Sequence, residues 1–249
     1  MSVLDSFRLD GKAAIITGGG TGGLGRWMAE ALLEAGARVV VTSRTDEKAQ
    51  QASEVGSDRL AYTAADVREP ASVEQLFEFA TKRFGPVDIL VNNAGTAWGE
   101  PTETVKFENW QRVVDVNVNG TFLMTQRFGQ AAIADKRRGK IVNIASVAGL
   151  RGGMNHNVAY STTKAAVINF TRSMAVEWAP YGINVNAIAP GLFPTKLSKG
   201  IIHEDSASRI PVGRLGQPDD IKGLVLFLAS PASDYVTGAV ITLDGGSSA

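Results

Sequence analysis

Short β-branched runs alternate with longer segments whose apolar positions recur at helical spacing, the pattern of βαβ units around a parallel sheet. Ala13 to Thr17 reads as a strand entering a glycine-rich turn, and Arg26 to Ala35 as a helix closed by Gly36. Arg38 to Ser43 and Leu60 to Ala64 are the next two strands. Pro70 stands where a first helical turn tolerates proline, ahead of a helix over Ser72 to Phe84. A fourth strand at Asp88 to Val91, a long helix over Trp110 to Ala132 and a fifth strand at Ile141 to Ala145 precede a helix over Tyr160 to Trp178. Ile183 to Ile188 is the sixth strand. An irregular segment after Pro190-Gly191 runs to about Pro211, before a helix over Pro218 to Ala229 and a seventh strand at Val240 to Leu243. Together these elements predict one α/β doubly wound domain over residues 1–249, a seven-stranded parallel sheet flanked by helices, with ligand at the carboxyl ends of its strands.

Composition narrows the partners. The chain has 249 residues, 44% of them hydrophobic, enough for one large core, and no compositional shift marks a linker or repeat. Its 25 basic residues are balanced by 25 acidic ones, which argues against nucleic acid or an acidic membrane surface as partner and requires a charged ligand to be met locally. Without cysteine there is no disulfide, thiolate metal site or cysteine nucleophile. Met1 to Asp10 carries Asp5, Arg8 and Asp10 in place of a signal peptide's apolar run, and no stretch approaches the ~20 apolar residues of a membrane span. A cytoplasmic protein with no membrane partner is the expectation.

The turn Thr17-Gly18-Gly19-Gly20-Thr21-Gly22-Gly23-Leu24-Gly25 lies between a strand and a helix, where backbone N–H groups and the helix dipole receive a pyrophosphate. The second strand ends in Thr42-Ser43-Arg44, without the acid that would bond a ribose 2′-hydroxyl; Ser43 and the Arg44 guanidinium suit a 2′-phosphate, so NADP(H) is favoured. Asp46 reads as the cap of the following helix. Asp66-Val67 and Asn92-Asn93-Ala94-Gly95 fall at the ends of the third and fourth strands, where either a cofactor contact or an Asx turn would place them.

Tyr160 and Lys164, four apart on a helix, share a face, and a cation beside a phenol lowers its pKa from about 10. With the glycine turn, the strand-end residues, Ser146 after the fifth strand, Asn117 in the long helix and Pro190-Gly191 with Thr195 after the sixth, the chain resembles the short-chain dehydrogenase/reductase family from end to end. The resemblance implies a Rossmann domain in which Tyr160 is the general acid or base, Ser146 bonds the substrate oxygen, Lys164 holds the nicotinamide ribose and lowers the tyrosine pKa, and Asn117 fixes a water chain. It assigns cofactor binding to Gly18, Gly20, Thr21, Gly23, Leu24, Gly25, Ser43, Arg44, Asp66, Val67, Asn93, Ala94, Gly95, Tyr160, Lys164, Pro190, Gly191 and Thr195, the last anchoring the carboxamide. The glycine turn is one residue longer than the family's usual spacing, which leaves its path, and the choice of Gly22 or Gly23 at the phosphates, open. His156 and His203 read as loop residues, and no metal is indicated.

A substrate lid is expected near 192–211. Trp98, Met154, Phe193 and Leu197 offer apolar walls and Lys196 and Lys199 positive charge, a combination suited to an acyl chain on an anionic thioester. Asn93 to Gly99, the fourteen-residue Ser146 to Tyr160 spacing and Pro190 to Thr195 resemble 3-oxoacyl-thioester reductases, notably the rhamnolipid-pathway type, and also gluconate 5-dehydrogenases. The leading reading is NADP(H)-dependent reduction of a small-molecule or carrier-bound 3-oxoacyl thioester to the 3-hydroxyacyl form, with a sugar acid or polyol dehydrogenase as the alternative. An NADP-sensing regulator on the same fold would keep the glycine turn and lose the Ser146, Tyr160, Lys164 and Asn117 set. A sugar-nucleotide epimerase needs a longer region than the 58 residues after Gly191. The resemblance also implies a homotetramer, with the two long helices on one interface and the last helix and strand on another.

Overall fold

A computed structural model describes residues 2–20, 22–44, 58–152 and 156–249. Its strands are β1 (Ala13–Ile16), β2 (Arg38–Ser43), β3 (Leu60–Ala64), β4 (Ile89–Asn92), β5 (Gly139–Ile144), β6 (Ile183–Pro190) and β7 (Val240–Leu243). All pair in parallel, in the order β3-β2-β1-β4-β5-β6-β7. β1, β4 and β6 are buried along their whole length, because helices cover both faces of the sheet, and this is why they read as continuous apolar runs.

Among the described residues the α-helices are α1 (Leu24–Glu34), α2 (Pro70–Phe84), α3 (Phe107–Val114), α4 (Gly120–Ala134), α5 (Val158–Trp178) and α6 (Pro218–Ala229). Strand side chains alternate between two cores. Ile16, Val39 and Val41 meet Met28 and Leu32 of α1 and Ile221 and Val225 of α6 on one face. On the other, Ile15 and Val40 meet Phe77 of α2, Met124 and Phe128 of α4 and Trp178 of α5. No helix among the described residues is long and apolar enough to cross a membrane.

Strand order reverses between β1 and β4, and the crevice of a doubly wound sheet opens there, above the carboxyl ends of the strands. Two local departures from the sequence pattern shape it. The strand predicted to reach Thr17 stops at Ile16, because the Thr17 hydroxyl accepts the N–H groups of Asn93 (3.1 Å) and Ala94 (3.0 Å). The helix predicted over Trp110 to Ala132 begins at Phe107 and widens into a π-helical turn over Asp115–Asn119, a feature often found at functional sites. Asn117 lies in that turn.

The segment expected as a lid is irregular but anchored. Phe193 is buried in the α1/α6 core, its ring 6.4 Å from that of Trp27 and filling the space a Cβ on Gly216 would take. The buried Ile210 holds the far end, against Gly245. Leu197 and Ile201 lie exposed between them. Thr21, Asp46 and Met154 lie outside the described residues.

Candidate active site

The turn after β1 needs glycine where its backbone touches the loop after β4. A Cβ on Gly18, whose φ is +74°, would stand 2.8 Å from Ala94 Cα, and one on Gly25 would stand 2.6 Å from Asn93 Nδ2. That Nδ2 donates to the carbonyls of Thr17 (2.8 Å) and Gly18 (2.7 Å). Asn93, expected as a cofactor contact, is therefore a staple holding the turn against β4. Gly20 is half-buried within the turn, and Gly22 faces open space. Gly23 caps α1 at φ +78° and looks across at Thr195, whose Cγ2 lies 3.5 Å from the position of a Cβ. Of the two glycines left open by the spacing, Gly23 is the one facing the crevice. Leu24 starts α1 and leans on the α1/α6 core. Bare glycine backbone, a helix N-terminus and Thr195 opposite form a cradle that fits a pyrophosphate.

Ser43 closes β2, and Arg44 beyond it is exposed. Asp66 is bonded within its own loop. Arg68 grips its carboxylate with Nη2 (2.6 Å) and Nε (2.9 Å), and the Arg68 N–H donates to Oδ1 (3.0 Å), an Asx turn. These bonds hold the Asp66 carboxyl below its usual range, with Arg44 adding a smaller pull. The carboxylate is thus engaged within its own loop, and Arg68, two residues on, brings a second guanidinium that the sequence reading missed. Val67 is likewise turned inward, packing against Gly120, so only its backbone remains for a cofactor.

Ser146 follows β5 and caps the short 3₁₀ turn Val147–Gly149, accepting the Ala148 N–H at 3.1 Å. Gly149 lets that turn press on α5, for a Cβ there would stand 2.5 Å from the Lys164 carbonyl carbon. The contact fixes Ser146 beside Tyr160. Burial pushes the Tyr160 phenol up from its ordinary value, and the neighbouring Ser146 hydroxyl pulls it partly back. Lys164 is buried at 4% exposure, donates from Nζ to the Ile144 carbonyl (2.7 Å) and lies 5.5 Å from the centre of the Tyr160 ring. Burial lowers it to about 8. Lys164 turns its ammonium to a backbone carbonyl, and the Ser146 hydroxyl is the group that lowers the phenol here.

Asn117 is buried, and its amide is taken. Nδ2 donates to the Thr96 carbonyl and to Thr163 Oγ1, both at 2.9 Å, while Oδ1 accepts the Thr96 N–H at 2.9 Å. It ties the loop after β4 to α5, and its amide has no N–H left for a water chain. Above it, a Cβ on Gly95 would stand 3.5 Å from both Asn117 Oδ1 and Lys164 Nζ, so glycine leaves these groups open to the crevice. Pro190 ends β6, and the Gly191 N–H bonds the Leu243 carbonyl at 3.0 Å, carrying the chain toward Thr195.

The substrate walls also differ from expectation. Phe193 is core, as described. Trp98 is half-buried but polar in its contacts, donating Nε1 to Glu100 (2.8 Å) with the Arg112 guanidinium 4.9 Å over its ring. Leu197, Lys196 and Lys199 are exposed. Arg151, on the loop between Ser146 and Tyr160, donates to the Ser247 carbonyl (2.8 Å); nothing in the spacing signalled that cation.

A family model described as enoyl-(acyl carrier protein) reductase matches residues 19–248. The 2-dehydro-3-deoxy-D-gluconate 5-dehydrogenase of Bacillus subtilis (strain 168) is 43% identical, over 97% of this chain and 96% of that protein. The 3-oxoacyl-(acyl-carrier-protein) reductase of Aquifex aeolicus (strain VF5) is 38% identical, over 96% of this chain and 98% of its own length. Among solved structures, a gluconate 5-dehydrogenase from Burkholderia cenocepacia J2315 in complex with NADP and tartrate is similar, with a TM-score of 0.90 and 38% identity, covering 99% of this chain and 98% of that one.

Proposed function

Because the chain belongs to the short-chain dehydrogenase/reductase family and is an oxidoreductase of that family, we propose that it interconverts a secondary alcohol and a ketone in a sugar acid or related polyol, with NADP(H). The observation that carries the reaction type is the Ser146 hydroxyl beside the Tyr160 phenol, with the buried Lys164 Nζ 5.5 Å from the centre of the same ring. Gly18, Gly20, Gly23, Gly25 and the start of α1 would hold the pyrophosphate, Ser43 and Arg44 the 2′-phosphate, Lys164 the nicotinamide ribose and Thr195 the carboxamide. The nicotinamide, when bound, supplies or accepts the hydride. Tyr160 handles the proton: burial keeps it on the phenol at neutral pH, ready to be given to a carbonyl oxygen, and in the oxidation direction the phenolate takes it back. Ser146 donates to the same oxygen and stabilises charge developing there. Asn117 positions this apparatus by clamping Thr96 to Thr163.

Support for a sugar acid comes from the walls of the crevice. Phe193 is withdrawn into the core and the Trp98 ring is partly covered by Arg112, which reduces the apolar surface expected for an acyl chain. Exposed Lys196 and Lys199 remain for a carboxylate. Thioester reduction is the second reading, favoured by the exposed Leu197 and Ile201 between the anchors of the 192–211 segment. The exposed Phe122 on α4, edge-on to Phe170 on α5 at 6.4 Å, supports self-association through these helices, in keeping with a homotetramer. The deciding assay compares D-gluconate with NADP or NAD against acetoacetyl thioester with NADPH or NADH. The sugar-acid reading expects the higher kcat/KM for gluconate with NADP; a higher value for the thioester overturns it.

A further inference from the structure

The chain that leaves β6 turns back on itself around Ser198. The Ser198 Oγ lies 2.6 Å from the Phe193 carbonyl, and because a carbonyl only accepts, the hydroxyl proton is committed there, with the Thr195 carbonyl sharing it at 3.0 Å. The same Oγ accepts the Thr195 N–H at 2.9 Å and stands 3.3 Å from Thr195 Oγ1. With the Ser198 proton spent, Thr195 is the donor across that last contact. A serine hydroxyl has one proton to give and two lone pairs to receive, and all are used inside this turn.

The consequences fall on Thr195. Ser198 takes up both its N–H and its hydroxyl proton, so what Thr195 Oγ1 keeps is its lone pairs, and no group among the described residues donates to them. The side chain faces the glycine cradle: Thr195 Cγ2 lies 3.5 Å from the position of a Cβ on Gly23, across the crevice from the start of α1. The turn is pinned from behind, because Phe193, whose carbonyl takes the Ser198 proton, has its ring buried against Trp27. Core packing thus holds Thr195, through Ser198, as a hydrogen-bond acceptor.

We propose that Ser198 is a positioning residue for the cofactor: by taking up the Thr195 hydroxyl proton it makes Thr195 Oγ1 accept from the NH2 group of the nicotinamide carboxamide. The proposal rests on the reading above that Thr195 anchors that group. An amide offers an oxygen that accepts and a nitrogen that donates, and an acceptor fixed in place bonds only the nitrogen. The chain thereby selects one orientation of the carboxamide, through a contact whose protein side is already ordered before the cofactor arrives.

The test measures equilibrium binding, of NADPH by its fluorescence and of two other ligands by their displacement of it. One is 2′-phospho-ADP-ribose, which lacks the nicotinamide; the other is the 3-acetylpyridine analogue of NADP, which has a methyl group in place of the amide NH2. Ser198→Ala should weaken NADPH roughly three- to tenfold, the span of one hydrogen bond, and leave the other two within about twofold of wild type. Thr195→Val should weaken NADPH at least as much, and adding Ser198→Ala to it should cost nothing further, since the second change then removes the support of a group already gone. Parallel weakening of all three ligands, no weakening of NADPH by Ser198→Ala, or a further loss in the double variant overturns the proposal and leaves the carboxamide assignment standing. A Thr195→Val variant that binds NADPH like wild type overturns both.

Discussion

Tyr160 and Lys164 are each shifted by burial, and the two shifts act in opposite senses. The phenol is raised, and only the neighbouring Ser146 hydroxyl opposes that rise. Alcohol oxidation requires the phenolate, so its rate climbs as pH passes the Tyr160 pKa; in Ser146→Ala the phenolate loses its donor, and the climbing limb should move to higher pH in a kcat/KM profile. An unmoved limb would mean that Ser146 does not tune the phenol. Tyr160→Phe should abolish turnover while NADPH binding, followed by fluorescence, survives; a variant within a few-fold of wild type would show that another group moves the proton. Lys164 is lowered from 10.5 to about 8, so between those values the unfolded chain binds more protons than the folded one, and the penalty this buried cation imposes on folding, full below that window, fades as pH rises through it. Lys164→Met removes the titration. Its melting temperature should gain most on wild type below pH 8 and progressively less toward pH 10.5, and a difference that grows with pH would contradict the assignment. These residues were legible in the sequence because type and spacing suffice to put Tyr160 and Lys164 on one helix face and Ser146 at a strand end. Their bonding was not, since the choice of the Ile144 carbonyl by Lys164, or of Thr96 and Thr163 by Asn117, depends on which backbone groups long-range packing brings near.

At the scale of elements, the pattern marked β2, β3, β7 and α6 at their observed bounds, because each is a run whose ends carry explicit signals, as with Pro218 and the Asp220–Gln217 capping box opening α6. It missed the π turn holding Asn117, since five residues are too few for a changed period to show. It also misread Phe193, whose burial depends on Trp27 and Gly216, far apart in sequence. The glycine turn was legible as a motif, but the reason for each glycine lies in the loop after β4. Gly18→Ala would combine a φ of +74° with a Cβ 2.8 Å from the Ala94 backbone, a strain on the order of 1–3 kcal/mol. For a domain of this size that lowers the melting temperature by roughly 2–4 °C per kcal/mol. Gly22→Ala has the backbone strain alone, with open space for its methyl group, and should melt above Gly18→Ala in a calorimetric comparison. The reverse order would place the tight contact elsewhere in the turn.

The whole molecule has no net charge to draw a partner from a distance, so association must be written in local surfaces. α4 and α5 present exposed apolar residues. Phe122 is 45% exposed, yet its ring meets Phe170 edge-on across the two helices, and Val176 farther along α5 is 81% exposed. Aromatic pairs of this kind left to solvent are costly to a monomer and suit a face shared between copies. If α4 and α5 join protomers while α6 and β7 form the second interface of a homotetramer, light scattering should give four times the 26.3 kDa protomer mass. Phe122→Glu would then bring a carboxylate from each copy into the α4/α5 interface, where desolvation makes the charge costly. That variant should fall to dimers held by the second interface while keeping the protomer's fold by circular dichroism. A wild-type monomer, or a Phe122→Glu variant that remains tetrameric, would move the interface off these helices.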